Sequence, residues 1–303
     1  MNIDNTKGGA SFPLTSGQRG IWLDQVLNGD RPLYGIGAFL QVAGPVDRHL
    51  CERAVNLVVQ KYDCFRTVLI EGGTGDGLPR QIFLERLFVE LPFFDVSSED
   101  DPKAAAVRLM EEELERPFAL YGNRLFRFGL LKLDDDCFYL FNCSHHLIMD
   151  GWSFEILARS LGAIYTKLNA GISPDLMAPS YTDFIKRDRD YSSSELFIKH
   201  KKYWEEKYRT LPDAPFSIGA HKDGIGKFPT SERHSFRVSA DVYNSWVEFA
   251  ELNGSTIFHL ILAGLYIYLM RTTGCRDLAF GLAMSKRPGA GFKATLGFFS
   301  GIF

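Results

Sequence analysis

The stretch Cys143-Ser144-His145-His146-Leu147-Ile148-Met149-Asp150-Gly151-Trp152-Ser153 decides how the chain is read. It holds two adjacent histidines, an aspartate four residues beyond the second, a glycine, and a serine of the type that caps helices. Upstream, Cys137 to Cys143 (Cys-Phe-Tyr-Leu-Phe-Asn-Cys) is apolar and aromatic and predicts a buried strand. Downstream, Phe154, Ile156, Leu157, Leu161, Ile164 and Leu168 recur at helical spacing, with Ser153 as the expected N-cap and Gly171 as the expected stop. The histidines therefore sit where a rigid strand gives way to a loop and a helix, a place that holds a general base in one orientation.

Outward from this stretch, strands and helices alternate. Thr15–Leu27 predicts a helix, Gly37–Val42 a strand, and Asp47–Lys61 a helix with Leu50, Ala54, Leu57 and Val58 inward. Strands are expected at Arg66–Ile70 and Arg80–Leu84, joined by a glycine-rich turn over Gly72–Gly77 that lacks phosphate-binding spacing. Lys103–Glu115 patterns as an amphipathic helix. Leu125–Leu133 and Cys137–Cys143 form a hairpin across Asp134-Asp135-Asp136, read as a solvated turn because no ligand-spaced continuation follows. Tyr181–Leu211 is charged and helical, and Asp213–Thr230, rich in Pro, Gly and polar residues, reads as a linker. A further strand over Glu232–Val238, helices over Ala240–Leu252 and Ser255–Thr272, and a strand over Asp277–Ala283 complete the pattern.

Composition narrows the classes. The chain has 303 residues, 46% of them hydrophobic, enough for a substantial core, and a formal charge of −3 that gives no case for nucleic-acid or membrane attraction. Met1–Ala10 is polar and glycine-rich, and the apolar run Ile257–Met270 is broken by His259 and too short to span a bilayer, so a cytoplasmic protein is expected. The five cysteines, at 51, 64, 137, 143 and 275, include no Cys-x-x-Cys pair and read as small buried hydrophobes. Cys143 on a buried strand lacks the accessible, electropositive setting of a reactive thiolate. No metal site is expected: neighbouring histidines on an extended strand point to opposite faces, so His145 and His146 cannot share one ion.

The string His-His-x-x-x-Asp-Gly at 145–151 resembles the active-site motif of the condensation domains of nonribosomal peptide synthetases, which belong to the chloramphenicol-acetyltransferase-like superfamily. Other landmarks follow in order. Leu14-Thr15-Ser16-Gly17-Gln18-Arg19-Gly20-Ile21-Trp22 looks like the opening motif, Ser-x-x-Gln-x-x-x-Trp at a helix start. Lys61-Tyr62-Asp63-Cys64-Phe65-Arg66-Thr67 is similar to Arg-His-Glu-x-Leu-Arg-Thr, keeping Arg66 and Thr67 only. Tyr181-Thr182-Asp183-Phe184 resembles the fourth motif and Tyr203-Trp204 a further landmark. Leu296-Gly297-Phe298-Phe299 looks like the start of Ile-Gly-x-Phe-Val-Asn-Thr, with Gly301 where the asparagine belongs.

The resemblance implies an α/β fold, in the form of an α+β two-layer sandwich: a complete N-terminal lobe over 1–190, a connecting helix and linker over 191–230, and a partial C-terminal lobe over 231–303. A chain ending there is expected to be poorly active by itself. The implied reaction forms an amide between a carrier-bound acyl or aminoacyl thioester and a carrier-bound aminoacyl amine. The substrates arrive on the 4'-phosphopantetheine of donor and acceptor peptidyl carrier proteins (thiolation domains) beside an adenylation domain, and the domain itself binds no cofactor. The site residues are then His146 as base or positioning group, His145 as a brace, Asp150 fixed by an arginine, and Gly151 with its N–H toward the developing oxyanion. Arg66 and Arg287 are both candidates for the partner of Asp150, and Ser153 supports the site as a cap. Two other readings stand beside this one: a free-standing acyltransferase using coenzyme A, and a non-catalytic carrier-protein or recruitment module.

Overall fold

Thr15 opens the first helix because its hydroxyl accepts from the Gln18 amide while the Gln18 side chain accepts from the Thr15 amide, a reciprocal capping box. From there the computed structural model, which describes residues 10–29, 31–72, 77–212, 234–287 and 289–302, runs through seventeen regular elements. They begin with β1 (Ser11–Pro13), α1 (Ser16–Asn28), β2 (Gly35–Ala43), α2 (Arg48–Lys61), β3 (Thr67–Ile70), β4 (Arg80–Phe83) and β5 (Phe93–Asp95). Next come α3 (Pro102–Glu115), β6 (Phe126–Asp134), β7 (Cys137–His145), α4 (Gly151–Asn169), α5 (Tyr181–Ser192) and α6 (Glu195–Lys207). The last are α7 (Ala240–Leu252), α8 (Ile257–Thr273), β8 (Ala283–Ser285) and β9 (Ser300–Ile302). Two compact units divide the chain, Met1–Phe197 with Leu282–Phe303, and Ile198–Gly281.

The first unit is built on a four-stranded sheet of order β2-β7-β6-β5, antiparallel except for the β5–β6 pair. The expected hairpin is its centre, with Leu130 opposite Leu140 and Phe126 opposite Ser144. Period-two alternation sorts its side chains. Phe126, Phe128, Leu130, Phe138 and Leu140 face α2 and α4, meeting Val55, Val58, Leu157, Leu161 and Ile164. Leu131, Leu133, Tyr139, Phe141 and Cys143 face α3 and meet Ala105, Ala106 and Met110. A one-residue slip would exchange the two sets, so burial on both faces fixes the register. Each side chain so buried contributes roughly 1.5–3 kcal/mol against exposure. A second sheet, β1-β4-β3, packs Val68, Ile82 and Leu84 together, and β8 pairs with β9.

Several expectations need correction. Helix α4 starts at Gly151 with Asp150 as N-cap, so Ser153 is a first-turn residue and not the cap. The segment Tyr181–Leu211 is two helices, broken where the Ser193 and Ser194 hydroxyls bond back to the carbonyls of Arg189, Asp190 and Tyr191. Residues 234–238, the described part of the expected strand Glu232–Val238, are not a strand, and neither is 277–282. Strand-type composition without a ladder partner does not make a strand. Residues 73–76 of the glycine-rich turn and the expected linker Asp213–Thr230 lie outside the described residues. Among the described residues no single helix is long and apolar enough to cross a membrane.

Candidate active site

Strand β7 ends on His145, and His146 is the first residue of the turn beyond it. His145 N donates to Leu125 O at 2.8 Å and His146 N to Tyr34 O at 2.8 Å, so backbone bonds from two neighbouring segments pin both residues. The side chains diverge as strand alternation requires. His145 is 2% exposed, set against Phe118 edge-on at 5.9 Å and against Tyr34 at 6.1 Å. Leu147 N donates to its Nδ1 at 3.1 Å, which puts the ring proton on Nε2. Among the described residues that Nε2 has no hydrogen-bond partner. Burial, and secondarily the neighbouring His146, lowers the His145 pKa to about 3, so the ring is neutral.

His146 is the opposite case. Its ring is partly exposed, and its Nδ1 lies 2.7 Å from the carbonyl oxygen of Met149. A carbonyl only accepts, so in the neutral ring Nδ1 carries the proton and Nε2 keeps the lone pair. The neutral imidazole is thereby fixed in the tautomer that can take a proton at Nε2. The ring of Phe298 stands beside it at 5.2 Å, nearly perpendicular at 81°.

Asp150 closes the loop and ties it to a remote segment. Buried at 1% exposure, it accepts from Ser153 N at 2.9 Å and from Phe299 N at 3.1 Å. Arg287 Nη2 meets its Oδ1 at 2.8 Å, both side chains being almost wholly buried. The same guanidinium donates to the carbonyls of Phe292 and Thr295 and lies 4.0 Å above the Phe299 ring. The Ser153 hydroxyl sits 2.7 Å from Asp150 Oδ1 and 2.9 Å from the Gly297 carbonyl, one of which takes its proton. It also accepts from Arg287 Nη2 at 3.0 Å and Gly297 N at 3.2 Å.

Of the two arginine candidates, the pairing therefore falls to Arg287. Arg66 instead bonds the carbonyls of Leu84, Val59 and Gln60, closing the end of α2 onto β4, and does not reach Asp150. Gly151 is exposed at the first position of α4, and a Cβ there would meet nothing within 4 Å. Cys143 is buried on the α3 side of the sheet, and burial pushes its thiol up to about 11, leaving it inert.

Other contributors stand in the quoted motifs but were assigned no role there. Gln18 Nε2 donates to Leu147 O at 2.8 Å, so α1 holds the histidine loop from a distance of 129 residues. Tyr181 donates from its hydroxyl to Phe298 O at 2.6 Å, and its ring leaves no room for a side chain at Gly297, where a Cβ would lie 2.2 Å from it. The Asp63 carboxylate accepts from the Ser180 hydroxyl and the Tyr181 amide. The second and fourth motifs of the sequence therefore meet around the segment that carries the fifth.

Comparisons with known proteins agree with this arrangement. The condensation domain family matches residues 10–302. The chain is 30% identical over 301 residues to the phosphinothricin tripeptide synthetase PhsC of Streptomyces viridochromogenes, covering 95% of this chain and 27% of that protein. It is 28% identical over 280 residues to a dimodular nonribosomal peptide synthase of Bacillus subtilis, covering 92% of this chain and 12% of that protein. The chain thus spans little more than a quarter of the first relative and less of the second. The solved first condensation domain of the calcium-dependent antibiotic synthetase shares the fold, with a TM-score of 0.83 over 97% of this chain and 69% of that one at 24% identity. A histidine motif closed by a buried Asp150–Arg287 pair, inside a match that runs from residue 10 to 302, makes the chain a member of the condensation domain family found in nonribosomal peptide synthetases.

Proposed function

We propose that the chain forms an amide bond between a donor acyl or aminoacyl thioester and the amine of an aminoacyl thioester, each carried on the phosphopantetheine of a separate carrier protein. The observation that carries this reading is the fixed tautomer of His146, whose Nδ1–H is held by the Met149 carbonyl while Nε2 is left with its lone pair. An α-amine attacks the donor carbonyl carbon, a C–N bond forms, and the C–S bond to the donor pantetheine breaks. The amine must lose a proton, and Nε2 of His146 accepts it and returns it to the departing thiolate. Gly151, at the positive end of α4, offers its N–H to the carbonyl oxygen as negative charge develops. Asp150 and Arg287 touch no reacting atom; they hold the loop. His145 braces the strand end.

The partners that fit this chemistry are donor and acceptor carrier domains and an adenylation domain that loads them, working in the cytoplasm. The test is intact-mass measurement of an acceptor carrier incubated with the full natural protein and a loaded donor carrier. The expected result is a gain equal to the donor acyl group. Acyl transfer from an acyl-coenzyme A to a small alcohol or amine, with no carrier-to-carrier gain, would move the assignment to a free-standing acyltransferase.

A further inference from the structure

We propose that Phe298 is a positioning residue for His146, setting the direction in which Nε2 faces. The inference rests on His146 being the acting imidazole, as proposed above. A ring held only through Nδ1 can still swing about that one hydrogen bond. Phe298 removes the freedom: its ring stands edge-to-face with the imidazole at 5.2 Å and 81°, and it is 5% exposed. The Phe298 ring is itself crowded by α1. A Cβ added to Gly17 in α1 would lie 2.9 Å from Phe298 Cε1 and 3.1 Å from Ser300 O, so the helix approaches as closely as a glycine permits.

The backbone of residue 298 is fixed at three neighbouring points. Tyr181 donates to the Phe298 carbonyl at 2.6 Å, Phe299 N donates to Asp150 Oδ2 at 3.1 Å, and the Gly297 backbone exchanges bonds with Ser153. The clasp of Asp150, Arg287 and Ser153 therefore reaches the imidazole by two routes. One is local, through the cap of α4. The other runs through residues 297–299 and ends on the flat ring of Phe298. In the sequence motif Leu296-Gly297-Phe298-Phe299 this residue occupies the position the family pattern leaves open.

The test uses Phe298→Leu, with Gly17→Ala as a second variant that displaces the same ring without touching His146. Carrier-to-carrier transfer is measured at saturating substrate, and the His146 imidazole is followed by NMR with labelled histidine. A misplacement of the order of 1 Å costs about 100-fold, so kcat is expected to fall roughly 10- to 100-fold in both variants with KM within twofold. The ring nitrogen shifts should move from a pure Nδ1–H tautomer toward a mixture. In a His146→Ala background Phe298→Leu should cause no further loss, because the two act as one unit. Wild-type kcat with unchanged imidazole shifts would overturn the proposal, as would an equal loss in the His146→Ala background. If Phe298→Leu fails to fold, Gly17→Ala decides alone. The NMR readout needs no substrate, so it still judges Phe298 if the wild-type protein transfers nothing and the proposed reaction itself fails.

Discussion

His145 and His146 share a peptide bond yet hold opposite tautomers, each dictated by the one backbone group its Nδ1 meets. This difference has a measurable pH consequence. The folded-state pKa of His145, about 3, lies below the ordinary 6.5, so in acid the unfolded chain takes up the proton first. The neutral ring supports the fold fully above pH 6.5, and that support is lost as the pH falls toward 3. Between pH 7 and 5 the unfolding free energy of the wild type, minus that of His145→Asn, should fall by ~1–2 kcal/mol. A flat difference would show that the ring is not buried in its neutral form. Gly151 gives a second test at this scale. Neither a positive φ nor a neighbour requires a glycine there. Gly151→Ala should therefore leave the melting temperature unchanged or raise it slightly, by the ~0.4–1 kcal/mol of lost unfolded-chain entropy. Transfer should nonetheless slow at least tenfold, because the proposed reaction places the donor carbonyl oxygen against this backbone. Full activity in this variant would remove Gly151 from the site.

At the scale of elements, the junction of α4 with residues 287–299 is held by a buried ion pair rather than by apolar packing alone. Breaking such a pair from one side strands a charge, at a cost of about 3–5 kcal/mol. Arg287→Met should lose that much in chemical denaturation, and Arg287→Lys should recover little of it. A lysine cannot reach the Phe292 and Thr295 carbonyls, Asp150 and Ser153 from one planar fork. Recovery of wild-type stability in Arg287→Lys would show that charge alone holds the junction. The sequence announced this element only in part. Its helical periodicity from Phe154 to Leu168 was legible. Its start was displaced, because Asp150 and Ser153 are both good caps and only the three-dimensional partners decide between them. Arg66 and Arg287 were equally eligible on paper. The choice depended on Arg66 being consumed by the carbonyls at the end of α2.

At the scale of the molecule, what the sequence made legible was what repeats locally. The β6–β7 hairpin, the amphipathic helices α2 and α3, and the histidine loop all follow from patterns within about twenty residues. What stayed hidden is non-local. The three-residue strands β1, β8 and β9 exist only because β4 and each other supply ladders. Of the loop's supports, Arg287 was one of two candidates in the sequence, whereas the parts played by Gln18, Tyr181 and Phe298, far apart along the chain, were not legible there. Stretches such as Phe236–Val238 have strand composition and no partner among the described residues, and so are not strands.

The central claim is that these supports aim one imidazole at the reacting amine. Its most direct test is single-turnover transfer between loaded carriers by the wild type and by His146→Ala, with matched circular dichroism and melting. A general base supplies typically ~10²–10⁴-fold, and a loss in that range from a folded variant is the predicted result. Transfer at the wild-type rate by folded His146→Ala would contradict the account and leave the loop as scaffold alone.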